Sequence, residues 1–339
     1  MKSYTVAVVG ATGAVGQEML KTLAERQFPV GRLVPLASAR SAGKPVRFAG
    51  SEHPVQTLDE RSFEGVALAL FSAGGSVSER FAPIAARAGA IVVDNTSAFR
   101  MDPEIPLCVP EVNPDEVARL GRRIIANPNC STIQMVVALE PIRRAAGIKR
   151  IVVSTYQAVA GAGARAIEEL KRQARLWAVG EPLPAPEIFP HPILFECIPQ
   201  IGAFRDSGDT VEEEKMVNET RKIFADPSIR VSATTVRVPV ICAHSESVNV
   251  ELERPLSAAD ARRLLADAPG VELVDDPASK RYPLARRAAG TDPVYVGRIR
   301  ADRSVEHGLN LWIVSDNLRK GAALNAVQIG ELLIARGLL

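Results

Sequence analysis

An apolar run, Tyr4–Val9, meets Gly10-Ala11-Thr12-Gly13-Ala14-Val15-Gly16, and apolar residues at helical spacing follow over Val15–Arg26. No other stretch restricts the fold as strongly. A strand that turns through glycines straight into a helix predicts a strand–helix–strand unit and a parallel sheet. Glycines three apart let the chain turn sharply and come close to a pyrophosphate. The helix that opens there aims unbonded N–H groups and its positive dipole end at the same point. The flanking strand and helix separate this from a bare glycine pattern. A tight turn with no ligand is the plainer reading of the glycines alone.

The pattern continues. Leu33–Ala37, Val66–Phe71 and Ala90–Val93 read as buried strands, each followed by Ser, Gly, Asp or Asn. Ligands of parallel sheets bind at the carboxyl ends of strands, so these polar clusters are where a site is sought. The middle of the chain differs. Ile148–Gln157, Ile229–Val240, Ser247–Arg254, Val294–Arg300 and Leu309–Val314 read as strands, with helices over Glu168–Trp177 and Val211–Phe224. The proline-rich connector Pro182 to Pro199 reads as an ordered loop. Strands grouped in this way predict a second, α+β domain. A last helix, Ala322–Arg336, carries Leu324, Val327, Leu332 and Ile334 and needs a surface to cover.

Composition narrows the classes. In 339 residues, 47% are hydrophobic and 24% charged, which suits two globular domains. The net charge of +2 lacks the basic bias of a nucleic-acid binder. No stretch predicts a membrane helix or a signal peptide. Cys108, Cys130, Cys197 and Cys242 are scattered, without CxxC or zinc spacing. No metal site is expected, and so few cysteines fit a reducing cytoplasm.

The second strand ends in Ser38-Ala39-Arg40-Ser41, with no carboxylate to take a ribose 2′-hydroxyl. Arg40 with Ser38 and Ser41 suits a 2′-phosphate, so NADP is expected over NAD. As a plain loop arginine, Arg40 would simply be solvated. Ser72-Ala73-Gly74 after the next strand lets backbone approach a cofactor, or serves as another turn.

Asn127-Pro128-Asn129-Cys130-Ser131-Thr132 lies between the strand-like Arg123–Ala126 and the helix-like Ile133–Leu139. The turn places Cys130 near a helix N-terminus, where a thiolate is favoured and nucleophilic. Most cysteines are small packing residues, and this position separates Cys130 from the other three. Four histidines are available as a base. His53 and His191 lie beside prolines, and His307 precedes a glycine. His244 lies between two strands, close to Arg237 and Glu246, and is either structural or the base. A nicotinamide cofactor with cysteine and histidine points to aldehyde–acyl chemistry through a thioester.

Several segments together resemble the aspartate-β-semialdehyde dehydrogenase family over essentially the whole chain. They are the Gly10–Gly16 loop, Asp94–Arg100, Asn127–Thr132, Ser154–Val159, Glu212–Lys215, Arg237–His244 and Ser315–Lys320. The resemblance implies a Rossmann-type parallel-sheet NADP domain over residues 1–130 and 317–339. It implies an α+β catalytic and dimerisation domain over 131–316, with the C-terminal helix returning to the first domain. The implied reaction interconverts L-aspartate-4-semialdehyde, phosphate and NADP⁺ with L-4-aspartyl phosphate and NADPH. It belongs to the synthesis of lysine, threonine, methionine and diaminopimelate.

The resemblance also assigns residues. Cys130 is the nucleophile and His244 the acid and base. Arg237 would grip the α-carboxylate and Glu212 the ammonium. Arg100, Lys215 and Asn129 would hold phosphate, and Gln157 would position the substrate. The cofactor would meet Gly10, Thr12, Gly13, Ala14, Val15, Ala160, Gly161 and Asn317, besides the residues after the second and third strands. Glu212 and Lys215 share a helix face, which alone would suit an exposed ion pair. Asn325 and Gln328 read as structural. Two positions depart from the family: Ala160 stands where Ser is common, and Ala243 where Gly is common. A homodimer or tetramer is implied. An N-acetylglutamyl-phosphate reductase shares the chemistry but takes an acylated amine, which needs no Glu212. A non-catalytic NADP-binding relative would not need Cys130.

Overall fold

The computed structural model describes residues 2–339, which divide into two units. The first comprises residues up to Asn129 together with Gly321–Leu339. Its strands are β1 (Tyr4–Val9), β2 (Val30–Ala37), β3 (Pro45–Phe48), β4 (Ser51–Pro54), β5 (Gln56–Thr57), β6 (Leu68–Phe71), β7 (Ile91–Asp94) and β8 (Ile124–Ala126). Helix α1 (Ala14–Glu25) follows β1, and α2 (Gly75–Arg87) follows β6. Six strands form one parallel sheet in the order β5-β2-β1-β6-β7-β8. The order reverses between β1 and β6, which is the switch point where such sheets bind ligands. Val6, Val8, Leu68, Leu70, Ile91 and Val93 are fully buried, as strands covered on both faces must be. The hairpin β3–β4 and the short β5 go beyond the sequence pattern. β3 alternates, with Val46 buried and Phe48 half-buried, but over only four residues, and β4 and β5 are largely exposed.

The second unit, Cys130–Lys320, holds a mixed sheet. Its elements are α3 (Cys130–Ala146), β9 (Ile148–Gln157), α4 (Ala164–Ala178), α5 (Val211–Ile223), β10 (Arg230–Arg237), β11 (His244–Leu252), α6 (Ala258–Ala266), β12 (Val271–Leu273), α7 (Ala285–Ala288), β13 (Val294–Asp302) and β14 (Gly308–Ser315). The sheet order is β10-β9-β11-β14-β13-β12. Helix α3 is buried around nearly its whole circumference, polar Ser131, Thr132, Gln134 and Glu140 included, and packs on β9, β11, β13 and β14. The opposite face of the sheet carries Tyr156, 37% exposed, against Trp312 at 5.5 Å between ring centroids. The connector after α4 is ordered because buried side chains of that helix bind its backbone. Glu169 accepts from the N–H groups of Glu187 and Ile188, and Gln173 from that of Leu194.

A π-helical turn, Arg319–Ala323, leads into the last helix, α8 (Leu324–Ala335), which packs against α1 in the first unit. One expectation needs correction. His244 does not lie between strands; it is the first residue of β11, which begins three residues earlier than the expected Ser247. Pairing with Ser315 of β14 extends the strand to that point. No helix among the described residues is long and apolar enough to cross a membrane.

Candidate active site

Five expected residues meet at one end of the second unit's sheet. Gln157 and Arg237 are the last residues of the parallel pair β9 and β10, and they lie opposite each other in register. His244 opens the antiparallel β11 beside them. Glu212 and Lys215 lie in the first turn and a half of α5. That helix is held by a capping box between Thr210 and Glu213. Cys130 is the first residue of the 17-residue α3, and it is only partly buried. Its backbone position gives it the unbonded N–H groups and dipole of a helix start.

The polar groups are tightly matched. The Thr155 hydroxyl donates to Gln157 Oε1 at 3.0 Å, which turns the amide nitrogen toward Glu212 Oε1 at 3.2 Å. Lys215 Nζ donates to the other Glu212 oxygen at 3.1 Å. Glu212 is 6% exposed, so the pair is not the solvated surface ion pair that its helical spacing alone suggests. Arg237 is also buried, and its Nη1 donates to the Ala158 carbonyl at 2.7 Å. Burial holds the guanidinium below its usual range, while Cys130 and Glu212 support its charge. A thiolate at Cys130 and the Arg237 cation therefore stabilise each other.

His244 is completely buried. The backbone N–H of Ala158 donates to its Nδ1 at 3.0 Å. Burial lowers the pKa from 6.5 to about 3, the nearby Arg237 adds to this, and Glu212 opposes it. The ring is neutral, and with Nδ1 accepting, its proton resides on Nε2. In this form Nε2 is a hydrogen-bond donor.

The segments flanking His244 are closely fitted. Ala243 has φ +72°, a left-handed conformation that a glycine would adopt without strain. Its N–H donates to Asn317 Oδ1 at 3.0 Å. A Cβ on Gly161 would come within 3.0 Å of Arg237 Nη1 and 3.4 Å of the His244 ring. Ala160 is buried, and its N–H donates to the Ile241 carbonyl at 3.1 Å. Sequence reasoning missed Ala158 and Thr155. Ala158 acts through its backbone, which no side chain announces. Thr155 shows only as an ordinary strand threonine.

The first unit carries the remaining expected residues. Gly10 has φ +88°, and a Cβ on Gly16 would come within 2.1 Å of the Gly10 carbonyl oxygen, so both must be glycine. Helix α1 starts with no side-chain cap and no acidic residue in its first turn. Gly10 also lies against Ser72 after β6, at the switch point. Thr12, Gly13, Ala14 and Val15 line the exposed or half-buried mouth of this loop, together with Ala73 and Gly74. Ser38 and Arg40 are exposed and Ser41 half-buried, on a short turn directly after β2. This open helix start with a cation beside it fits a phosphorylated dinucleotide. Arg100 is buried and donates to the carbonyls of Asn127 and Asn95 at 2.9 and 2.7 Å. Asn129, two residues after Asn127, is buried as well. Asn325 of α8 donates to Asn127 Oδ1 and the Cys108 carbonyl, and Gln328 to Glu111, so both are structural ties.

Known proteins share this fold and sequence. Residues 5–120 match the family model "Semialdehyde dehydrogenase, NAD binding domain", and residues 139–320 match "Semialdehyde dehydrogenase, dimerisation domain". The aspartate-semialdehyde dehydrogenase of Aquifex aeolicus is 56% identical over 99% of both chains. The crystal structure of aspartate semialdehyde dehydrogenase II from Vibrio cholerae, complexed with ASA, superposes with a TM-score of 0.96. It is 52% identical, and the match covers 99% of each chain. The Candida albicans enzyme with NADP has a TM-score of 0.75 at 25% identity, covering 100% of each chain. With both halves matched and the full length shared, the chain belongs to the aspartate-semialdehyde dehydrogenase family.

Proposed function

We propose that the chain catalyses the NADPH-dependent reductive dephosphorylation of L-4-aspartyl phosphate to L-aspartate-4-semialdehyde, with Cys130 as nucleophile. The observation that carries this reading is the buried set Gln157, Glu212, Arg237 and His244 at one sheet end, with Arg237 in electrostatic reach of Cys130. A substrate with a carboxylate and an ammonium needs an anchoring cation and anion, and Arg237 and Glu212 supply them. An acylated amine would have no use for the Glu212 charge.

The thiolate of Cys130 attacks the acyl phosphate carbon, a C–S bond forms and phosphate leaves. Arg100, Asn129 and Lys215 are proposed to hold that phosphate. His244 donates from Nε2 to the acyl oxygen and steadies the charge that builds there. Gln157 orients the acyl group between His244 and Glu212. NADPH, when bound, supplies the hydride for reduction of the thioester. Cys130 then departs as the thiolate and the aldehyde is released. Gly10 to Val15, Ser38, Arg40, Ser41 and Ser72 to Gly74 would hold the dinucleotide, with Arg40 on its 2′-phosphate. Ala160, Gly161 and Asn317 would meet its nicotinamide end.

The protein is proposed to work as a homodimer through its second unit, in a reducing cytoplasm. The half-exposed sheet face with Tyr156 and Trp312 supports a partner there. Sedimentation of the wild-type protein and of a Tyr156→Asp, Trp312→Asp variant tests it; a dimer unaffected by both changes places the interface elsewhere.

The activity test is phosphate-dependent reduction of NADP⁺ with L-aspartate-4-semialdehyde, beside N-acetylglutamate semialdehyde and Cys130→Ala. Turnover of the first aldehyde only, abolished in the variant, is expected. Turnover of the acetylated aldehyde instead would move the substrate assignment.

A further inference from the structure

Glu246 is a completely buried carboxyl group that the proposed chemistry does not use. It lies two residues beyond His244 on β11, so both side chains point to the same face of the sheet. Across β9 it is opposite Thr155, and across β14 it is opposite Ile313. From α3 it meets Gln134, itself 1% exposed and one helical turn beyond Cys130. Along its own strand the neighbours on that face are His244 and Val248. None of these carries a charge, and His244 is neutral.

Gln134 lies next to the carboxyl group, and its amide nitrogen and both carboxyl oxygens are buried without a hydrogen-bond partner. An unpaired carboxylate in such a place is very costly. A neutral carboxylic acid both donates and accepts, so it can pair with a primary amide in both directions; a carboxylate can only accept. Burial in fact holds Glu246 well above the usual carboxylate range, and Gln134 opposes this only in part.

We infer that Glu246 is a positioning residue: as a neutral acid paired with the Gln134 amide, it ties the helix that carries Cys130 to the strand that carries His244. The pair sets the approach of nucleophile and proton donor without touching substrate. The inference rests on Cys130 and His244 having the roles proposed above.

The test uses the full-length enzyme and the variants Glu246→Leu, Glu246→Gln, Gln134→Leu, the double leucine variant and Cys130→Ala. Misplacement of reacting groups costs up to about a hundredfold in rate. Glu246→Leu is therefore expected to lower kcat about tenfold to a hundredfold with KM unchanged. The pH profile of Cys130 alkylation by iodoacetamide moves upward in the same variant. Glu246→Gln, which keeps a neutral donor and acceptor, restores most of what leucine removes. The double leucine variant is no worse than Glu246→Leu, because each single change already breaks the tie. Unchanged kcat in Glu246→Leu overturns the inference, as does an equal loss in Glu246→Gln or multiplying losses in the double variant.

Should Glu246→Leu fail to fold, Gln134→Leu breaks the same tie, and melting of Glu246→Gln tests the neutral state. A carboxyl group with a raised pKa takes stability away as pH rises above its unfolded value. The melting advantage of Glu246→Gln over wild type therefore widens from pH 5 to pH 8; a narrowing advantage overturns the neutral acid. Cys130→Ala separates the two readings. Activity surviving in it removes the nucleophile assignment itself. Activity lost in it but intact in Glu246→Leu removes this inference alone.

Discussion

The backbone of Ala158 holds both His244 and Arg237: its N–H donates to His244 Nδ1 at 3.0 Å, and its carbonyl accepts from Arg237 Nη1 at 2.7 Å. One peptide segment just after β9 thus orients the proposed proton donor and the proposed substrate-binding cation together. A hydrogen bond into Nδ1 selects the Nε2–H tautomer, and full burial keeps the ring neutral.

His244 is therefore expected to show an unprotonated Nδ1 in nitrogen NMR from pH 5 to pH 8, with no titration near 6.5. Its folded pKa lies below the unfolded value, so its contribution to stability is full above pH 6.5 and falls away toward pH 3. Between pH 6.5 and 5 this group alone removes about 2 kcal/mol. Urea melts at pH 7.5 and 5 should lose that much less in His244→Asn than in wild type. Equal losses would place a protonated, solvated ring at this position.

Ala243 pays for a left-handed backbone that its neighbour needs. Ala243→Gly removes that strain but loosens the unfolded chain, for a net gain of about 0.5–1 kcal/mol. Asn317→Ala strips the Ala243 N–H of its acceptor and should cost about 1–3 kcal/mol. Thermal melts of the two variants check the opposite signs.

Arg40→Ala should weaken NADP binding about tenfold to a hundredfold, the loss of one charge-assisted contact, and leave NAD binding nearly unchanged. Equal losses for the two dinucleotides in fluorescence titrations would show that Arg40 does not read the 2′-phosphate.

Gly161→Ala pushes a methyl group against Arg237 and His244. The expected result is a higher KM for the aldehyde and a lower kcat, with melting shifted by only a few degrees. Kinetics like wild type would mean that Arg237 moves aside without consequence.

Much of this is legible in the sequence. The glycine loop, the β1–α1 unit and Cys130 at a helix start follow from local spacing, because turns and helix starts are decided within a few residues. In the sequence, His244 to Glu246 precede the strand, which the pattern starts only at Ser247. Pairing with β14 and β9 decides instead that His244 and Glu246 face inward. Glu212 likewise reads as a surface charge until α5 is packed on β10. Burial of a polar side chain is settled by distant partners, and local pattern carries no mark of it. Ala158 is the extreme case, since its whole contribution is made by its peptide groups.

The most direct measurement is to mix the enzyme with L-aspartate-4-semialdehyde and NADP⁺ in the absence of phosphate. The account predicts a burst of about one NADPH per site and one aspartyl group on Cys130, located by peptide mass analysis, with neither in Cys130→Ala. A burst that survives in that variant, or an acyl group on any other residue, would contradict it.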